Sequence, residues 1–503
     1  MSRRRRWSEL KTQILGTGLA LALLVLLVLG VWWTRRHPFV GLGLLVAGMA
    51  FHSFLLMLLL RLETPTLLVR AFQGWKEVLL ALLTVIAALR VYDRARSGQL
   101  GPILLTDWIA GAFAMLAVVY FLLPSSLLHS DANLSQRLVG FRIIFLIPLL
   151  YFLGRTLTPN DDRELSIVVW LCLGAGAAVT LFGLYEVFLV PTKTWLDWGV
   201  NQYSSFLGFK YHGPSGLPEN FFVSLPDGSL VRRIVSTYIS PLGVAYTALL
   251  LFPMGVAILG RRVSQRTARL VAIATALIVL GVAISITRLA LFALIGEAAL
   301  LFLLWRRVWI AGMVPILIVV TISALFPYTS IAPAVDRNLQ PIHRTGLVWA
   351  ISGHDSSTSE HYTYLINDLK FDLKHPFGLG TGASTVRYGS LVGTGESAVL
   401  GMFGDMGLLG GALYVALYLL VLWSGYRTLR IRPQPTLEEV IPLVALVGGL
   451  ALVPITMTSD LWGDLSVTFL FWWAAGASVT LARRAERVPS PAVWQTRPAT
   501  TVV

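Results

Sequence analysis

The sequence contains little charge and almost no cysteine. Of its 503 residues, 13% are charged and 56% are hydrophobic, whereas a soluble domain carries about 25% charged residues. This composition excludes a soluble enzyme and a disordered chain. The single cysteine, Cys172, excludes an internal disulfide, and its position in an apolar run argues against thiol catalysis. No His, Asp or Glu residues show metal-ligand spacing, so we expect neither a metal site nor a cofactor.

Long apolar runs are abundant instead. A run of about 20 residues is long enough to cross a hydrocarbon core of about 30 Å as a helix. Such runs recur from end to end, which predicts an all-α polytopic membrane protein. They lie near residues 14–33, 38–60, 74–92, 102–123, 138–156, 166–190, 240–260, 269–287, 289–304, 309–326, 398–424, 440–457 and 463–482.

Arginine clusters between the runs predict the topology. Short cytoplasmic loops collect Lys and Arg, which also accounts for the net charge of +14 without nucleic-acid binding. If every cluster is cytoplasmic, residues 191–240 and 327–397 lie on the opposite side. The basic start of the chain and its first apolar run predict a retained signal anchor. Because thirteen crossings would put Arg3–Arg6 outside, one of the first three runs should not cross fully, leaving about 12 transmembrane helices.

The chain therefore divides into six parts. The two long outer loops are expected to contain short amphipathic helices and to carry the chemistry. The parts are N-terminal transmembrane helices (1–190), a first periplasmic loop (191–240), central transmembrane helices (241–326), a second periplasmic loop (327–397), C-terminal transmembrane helices (398–482) and a cytoplasmic tail (483–503).

The second loop predicts an amphipathic helix that lies on the outer leaflet or caps a cavity. Ser357-Thr-Ser-Glu360 forms a candidate capping box, and Pro376 should end the helix. The apolar face would carry Tyr362, Leu365, Ile366, Leu369 and Leu373, and the polar face Lys370, Asp372 and Lys374.

Three arginines near the outer membrane boundary are candidates for binding an anion. Arg288 lies between two apolar runs that leave almost no room for a loop, and arginine at membrane depth is costly unless it meets water or an anion. The alternative is a snorkelling arginine at a tight outer turn. Arg232 and Arg233 precede the point where the first loop re-enters the membrane. Their guanidinium groups suit phosphate oxygens. Taken without Arg288, the two arginines would be explained by contact with lipid headgroups.

The second loop supplies the other candidates. Gly380 and Gly382, in His375-Pro-Phe-Gly-Leu-Gly-Thr-Gly, could present backbone N–H groups to an oxyanion. Glu396, at the start of an apolar run, is either a general base toward a sugar hydroxyl or a charge that favours a helix N-terminus. Further substrate-binding candidates are His361, His375 and Arg344, and an ordinary surface role is the alternative for either histidine taken singly.

The order of these motifs resembles the superfamily of bacterial O-antigen ligases and O-antigen polymerases. The resemblance covers roughly residues 160 to 425. It is carried by Arg233-Ile-Val-Ser-Thr-Tyr-Ile-Ser-Pro-Leu-Gly, Ser285-Ile-Thr-Arg288, His375-Pro-Phe-Gly-Leu-Gly-Thr-Gly and Glu396-Ser-Ala-Val-Leu-Gly-Met-Phe-Gly-Asp-Met-Gly-Leu-Leu-Gly.

The resemblance implies a metal-independent, inverting glycosyltransferase on the periplasmic face of the bacterial inner membrane. The donor would be a glycan on undecaprenyl pyrophosphate, with Arg233 and Arg288 stabilising the pyrophosphate and Glu396 acting as the base. Ligases of the family carry a histidine at the position aligned with Glu396, so this sequence favours a polymerase that joins lipid-linked repeat units. The alternatives are a ligase that uses a lipid A core acceptor, and a transporter of lipid-linked glycans.

Overall fold

A computed structural model describes residues 3–99, 101–208, 216–224, 230–325, 356–384, 396–431 and 437–487. Within these ranges, twelve helices are long and apolar enough to cross a membrane. The chain is therefore an all-α, multi-pass membrane protein, as its composition predicts. Of the first three apolar runs, the third forms a helix outside this set of twelve, Trp75–Arg96, in whose last turns Arg94 and Arg96 are exposed and Arg90 is half-buried.

The helices follow the apolar runs closely. In chain order they are α1 (Arg3–Arg36), α2 (Pro38–Arg61), α3 (Thr66–Gln73), α4 (Trp75–Arg96), α5 (Leu105–Leu122), α6 (Ser125–Leu128), α7 (Leu134–Thr156), α8 (Asp162–Leu189), α9 (Thr192–Asp197), α10 (Val200–Phe206), α11 (Pro241–Leu259), α12 (Gln265–Ser285), α13 (Arg288–Trp305), α14 (Val308–Leu325), α15 (Ser356–Lys374), α16 (Ala398–Ile431), α17 (Leu437–Thr458) and α18 (Leu465–Arg487).

The first long connection folds against the membrane helices. After α9 and α10 it forms a short antiparallel hairpin of β1 (Phe222–Ser224) and β2 (Leu230–Arg232), in which Phe222 pairs with Arg232. Trp195 of this segment is fully buried. It packs edge-on against Phe54 and Phe221, so it anchors the loop to the protein.

Two groups of contacts define opposite ends of the bundle. At one, called here the basic end, Arg155 pairs with Asp107 at 2.7 Å and Arg261 with Asp162 at 3.0 Å. At the other, the loop end, Arg61 donates to the carbonyl of Asp197, and Ala398 donates to that of Ser459. Antiparallel neighbours thus bring the two long connections to one end.

Helix α1 pairs antiparallel with α2. Gly16 of α1 packs against Leu62 and Thr64, and Gly41 of α2 packs against Thr34. This pairing puts the first turns of α1 at the loop end, opposite to the side that its arginines predict. The charge rule is outweighed here because α1 and α2 are tightly packed along their length.

Small residues let α7 and α18 approach closely, as is common between membrane helices. A Cβ added to Gly476 would lie 1.9 Å from the Tyr151 carbonyl oxygen, and one added to Gly154 would lie 2.1 Å from that of Trp473. Because both obstacles are backbone atoms, neither can rotate away. This contact fixes α18, and the loop that precedes it, relative to α7.

The contact predicts that Gly476→Ala lowers the free energy of unfolding by about 1–3 kcal/mol through overpacking. Gly174→Ala is the matched control, because Gly174 lies in the exposed face of α8 and an added Cβ meets nothing within 4 Å. It should be neutral or stabilising by up to about 1 kcal/mol. Denaturant unfolding of purified protein in detergent measures both variants, and equal effects would contradict the close-packing assignment.

Candidate functional site

A buried carboxylate organises the loop end. Glu186, near the end of α8, is fully buried and accepts hydrogen bonds from Trp195 Nε1 at 3.0 Å and from the backbone N–H of Val235 at 2.9 Å. It also pairs with Arg232 at 3.1 Å. One side chain therefore connects α8, α9 and the segment that follows β2. Glu186 is not predictable as a site residue from the sequence, because a lone glutamate in an apolar helix carries no motif.

Arg232 is part of this buried cluster and not of a substrate site. Its side chain is 1% exposed, and its guanidinium donates to the carbonyl oxygens of Val190 at 2.6 Å and Glu186 at 3.0 Å. The prediction that Arg232 binds substrate is wrong. Successive side chains of an extended strand point in opposite directions, so Arg232 turns inward while Arg233 turns toward the neighbouring helices.

Arg233 is clamped to the turn between α12 and α13. Its Nε donates to the carbonyl of Ser285 at 2.7 Å, and one terminal nitrogen donates to Thr287 Oγ1 at 3.0 Å. The backbone joins them as well, since the Ile234 N–H donates to Ile284. The guanidinium of Arg233 is thus bonded to the residue directly before Arg288.

Arg288 is the first residue of α13, and its side chain is half-buried. The turn before it contains Ile286 in the left-handed region, with φ 50°, which lets only two residues, Ile286 and Thr287, separate α12 from α13. Two arginines therefore flank one tight turn at a helix N-terminus, where the exposed backbone N–H groups also favour an anion.

Glu396 and His361 are in contact. Nδ1 of His361 lies 3.1 Å from Oε2 of Glu396, and both side chains are about two-fifths exposed, at 43% and 40%. Glu396 directly precedes Ser397, whose hydroxyl accepts from the Leu400 N–H at 3.1 Å and so caps α16. This position fits the helix-terminal role, and the histidine contact fits the general-base role.

Tyr246 brings the arginines and Glu396 into one region. This buried phenol, in the second turn of α11, contacts Ser459 and lies within electrostatic range of Arg233, Glu396 and Asp464. Neither Tyr246 nor Asp464 was predicted from sequence, since each is a single polar residue beside an apolar run. Four charged or polar side chains from distant parts of the chain thus lie around Tyr246 at the loop end, and this region is called here the hollow.

Asp464 adds a titratable acid to this hollow. It accepts from the backbone N–H groups of Ser466 and Val467, and its Oδ2 lies 3.2 Å from where a Cβ on Gly243 would stand. Burial nevertheless raises the pKa of Asp464 to about 6. Its charge near the arginines therefore varies within the physiological pH range.

The glycine-rich segment is not an open oxyanion site. The N–H groups of Gly382, Ala383 and Ser384 donate to the Asp405 carboxylate at 2.7, 3.0 and 2.8 Å, and the Gly380 N–H donates to the Asp405 carbonyl. The prediction that Gly380 and Gly382 bind substrate is wrong. The backbone nest exists, but an aspartate of the same chain fills it.

His375 lies away from the hollow. It directly follows α15, fourteen residues after His361, which corresponds to about 21 Å along a helix, and its ring packs on Phe371 with 4.7 Å between the ring centres. His375 is therefore separated from Glu396. Arg344 lies outside the residues that the structure describes.

Helix α15 buries acids and exposes apolar residues. It ends before Pro376, as predicted, but Asp368 and Asp372 are buried whereas Tyr362 and Leu373 are 67% and 70% exposed. The assignment of Asp372 to the solvent face is therefore wrong. A helix at a membrane can turn its apolar side toward lipid, so apolar periodicity alone does not identify the buried face.

Burial raises the pKa of Asp368 to about 6 and that of Asp372 to about 7. Nearby carboxylates add to this rise: Glu396 acts on Asp368, and Asp368 and Asp405 act on Asp372. Asp368 also accepts from the backbone N–H groups of Glu396 and Ser397. The docking of α15 on α16, which holds His361 beside Glu396, is thus coupled to proton binding.

Comparison with known proteins adds no assignment. No protein-family model and no curated protein matches this chain. Within the described residues, no group of three or more His, Cys, Asp or Glu side chains is placed to hold a metal ion. The function must therefore be inferred from the geometry of the hollow.

The buried pair predicts a structural role for Arg232. Arg232→Met leaves the Glu186 carboxylate without its cation and should lower the free energy of unfolding by about 3–5 kcal/mol. Arg261→Met removes the largely exposed pair with Asp162 and should cost less than about 1 kcal/mol. Denaturant unfolding compares them. A small loss for Arg232→Met would contradict the buried-anchor assignment.

The raised pKa values predict pH-dependent stability. The folded chain holds protons on Asp368 and Asp372 more tightly than an unfolded chain would, so the stability that they contribute is greatest below about pH 4. It is lost as the pH rises through about 6 to 7. The Tm of Asp372→Asn minus the Tm of the unsubstituted protein should therefore be larger at pH 8 than at pH 5.

Asp93→Asn is the control, because Asp93 is exposed in the last turns of α4. Its Tm difference from the unsubstituted protein should be the same at both pH values. A pH-independent difference for Asp372→Asn as well would refute the coupling between the docking of α15 and proton binding.

Proposed function

We propose that this protein is a membrane glycosyltransferase that polymerises oligosaccharide repeat units carried on undecaprenyl pyrophosphate. The observation that carries the proposal is the clamp of Arg233 onto the turn that precedes Arg288, with Glu396 in the same region around Tyr246. The motif resemblance to O-antigen polymerases and ligases supports the same assignment. The reaction would take place on the periplasmic face of the bacterial inner membrane.

The charge arrangement suits a departing diphosphate. Guanidinium groups bind phosphate oxygens with two parallel hydrogen bonds, and such contacts are stronger where water is excluded. Arg233 is partly oriented by Ser285 and Thr287 before any substrate arrives. A preorganised cation of this kind stabilises charge that develops in the transition state.

The proposed step is a single displacement at the anomeric carbon. The acceptor hydroxyl oxygen forms the new bond to that carbon, while the bond between carbon and diphosphate oxygen breaks. The departing undecaprenyl pyrophosphate takes the electron pair, and the hydroxyl proton passes to the Glu396 carboxylate. His361, 3.1 Å from that carboxylate, orients it. The anomeric configuration is inverted because the two bonds lie on opposite faces of the ring.

The position of the hollow suits a lipid-borne donor. Arg288 is the first residue of an 18-residue apolar helix, so its guanidinium lies close to the level where lipid tails meet headgroups. A polyprenyl chain can remain in the bilayer while its diphosphate reaches the arginines. A nucleotide sugar would not need such a location, and it would be supplied from the cytoplasm.

Two other functions are distinguishable. A ligase would use the same donor but transfer the glycan to a lipid A core, and the acid at position 396, where ligases of the family carry histidine, favours a polymerase. A transporter is favoured by Glu297, which is fully buried in α13 with neither carboxylate oxygen bonded within the described residues. Intramembrane acids of this kind occur in transport pathways.

The decisive experiment supplies purified protein in lipid vesicles with undecaprenyl-pyrophosphate-linked repeat units. A ladder of longer glycans without further additions supports a polymerase. Product that forms only after a lipid A core is added supports a ligase. Movement of the lipid-linked glycan across the vesicle membrane, with neither product, supports a transporter.

Substitutions in the hollow should remove the activity. Arg288→Ala and Glu396→Gln are each expected to lower the rate of chain extension at least about 100-fold, since each removes an interaction used in the transition state. Arg262→Ala and Glu164→Gln are matched controls, because Arg262 is exposed and Glu164 is half-buried at the basic end, and they should retain normal rates. Near-normal turnover of either hollow variant would exclude that residue from the mechanism.

A further inference from the structure

A second cationic cavity lies at the loop end. It has a volume of about 550 Å³, and helices α2, α3, α4, α7 and α10 contribute its walls. Three basic residues line it, Arg70, Lys76 and Arg142, and no acidic residue does. The neighbouring Glu77 pairs with Lys76 at 3.4 Å and with Arg142 at 3.6 Å, so one acid offsets three cations.

One of these cations is buried, and another lies well along its helix with a side chain that is 39% exposed. Arg142 is eight residues into α7, about 12 Å below the start of that helix, and its buried Nε has no hydrogen-bond partner within the described residues. Lys76 is only 5% exposed and donates to the carbonyl oxygen of Gln73 at 2.6 Å. Ionisable side chains at membrane depth are costly and usually mark a functional pathway.

The third cation lies at the cavity's aromatic rim. The guanidinium of Arg70 is 4.2 Å from the centre of the Phe206 ring and donates to Gln73 at 3.0 Å. Tyr203 and Phe206 of α10 supply apolar surface beside the charge. An amphiphile with an anionic headgroup matches this combination, because cations meet the headgroup and aromatic rings meet its neighbouring carbon atoms.

One short segment separates this cavity from the hollow. Gly463 and Leu465 line the cavity, whereas Asp464, between them, lies within electrostatic range of Tyr246 on the other side. Residues 463–465, called here the wall, therefore contribute to both regions. A transfer between two lipid-borne substrates requires a headgroup site for each of them.

We propose that the cavity binds the phosphate group of the acceptor substrate, through Arg142, Lys76 and Arg70. This inference rests on the proposed glycosyl transfer, in which Arg233 and Arg288 hold the donor's diphosphate. Whether the acceptor is a second lipid-linked repeat unit or a lipid core, it carries phosphate. The cavity then holds the acceptor's headgroup beside residues 463–465, which also border the hollow that includes Glu396.

The test measures binding separately from activity. Purified full-length protein carrying Arg288→Gln, which weakens the donor site, is titrated with farnesyl phosphate and, in a second arm, with inorganic phosphate. Adding Arg142→Gln should weaken the binding of whichever probe binds by at least 10-fold. Adding Arg163→Gln should leave that binding unchanged, because Arg163 is exposed at the basic end. Farnesol, which lacks the phosphate, should not bind at this site.

The two arms identify the source of the phosphate. Binding of both probes that depends on Arg142 supports a site for phosphate itself, and binding of farnesyl phosphate alone supports a lipid headgroup. Affinity for both probes that is unchanged by Arg142→Gln overturns the proposal. If Arg142→Gln lowers the Tm, Arg70→Gln replaces it, because the Arg70 side chain is exposed and its loss leaves the interior intact.

Kinetics separate this proposal from the function on which it rests. In an active polymerase or ligase, Arg142→Gln should raise the KM for the acceptor and leave the KM for the donor unchanged. Phosphate binding that depends on Arg142 in a protein without transferase activity would refute the proposed function but retain the site. Transferase activity with an unchanged acceptor KM would refute the site but retain the function.

Discussion

The buried carboxylate of Glu186 holds the loop end in place. An unpaired charge at this depth would cost several kcal/mol, but Glu186 accepts from Arg232, from the Trp195 indole and from two backbone N–H groups. These bonds join α8 and α9 to residues 232–236. Because Arg233 follows Arg232 directly, the buried pair also determines which way Arg233 points and where its guanidinium meets the α12–α13 turn.

The hollow is built from side chains, whereas the backbone nest beside it is used internally. Asp405 occupies the N–H groups of Gly382, Ala383 and Ser384, which ties the segment after α15 to the first turns of α16. Gly407, with φ 70° and ψ −174°, bends α16 at the same place. In the proposed function, a substrate anion would therefore meet the arginines, whereas the nest contributes rigidity.

The membrane-spanning helices could be predicted from the sequence because the hydropathy of a segment depends only on its own residues. The twelve candidate spans and the end of α15 before Pro376 follow from that signal. The same signal selects Arg233, Arg288 and Glu396 as site candidates, since each is a polar residue at the margin of an apolar run, and their role stays a prediction. The inward orientation of the Arg232 side chain was not predicted, because the strand that turns it inward is only three residues long.

Long-range partners explain the remaining errors. Gly382 finds its anion 23 residues downstream in Asp405, and nothing in the glycine motif indicates that partner. Tyr246 and Asp464 matter only because α11 and the start of α18 meet, which hydropathy does not encode. Asp372 was misplaced because amphipathic periodicity identifies two faces of a helix but not which one meets the protein when the other meets lipid.

Electrostatics gives a reason for two separate cationic regions in the proposed reaction. Two lipid diphosphates brought together near the bilayer would repel strongly, because the effective dielectric constant there is well below that of water. A single cationic patch would neutralise one headgroup and leave the other uncompensated. Arg233 and Arg288, beside the α12–α13 turn, would compensate one headgroup, and Arg142 and Lys76, in the cavity, would compensate the other at its own position. The wall then keeps the anions apart while an uncharged hydroxyl and the anomeric carbon approach beside Glu396, so the repulsion is avoided without separating the reacting atoms.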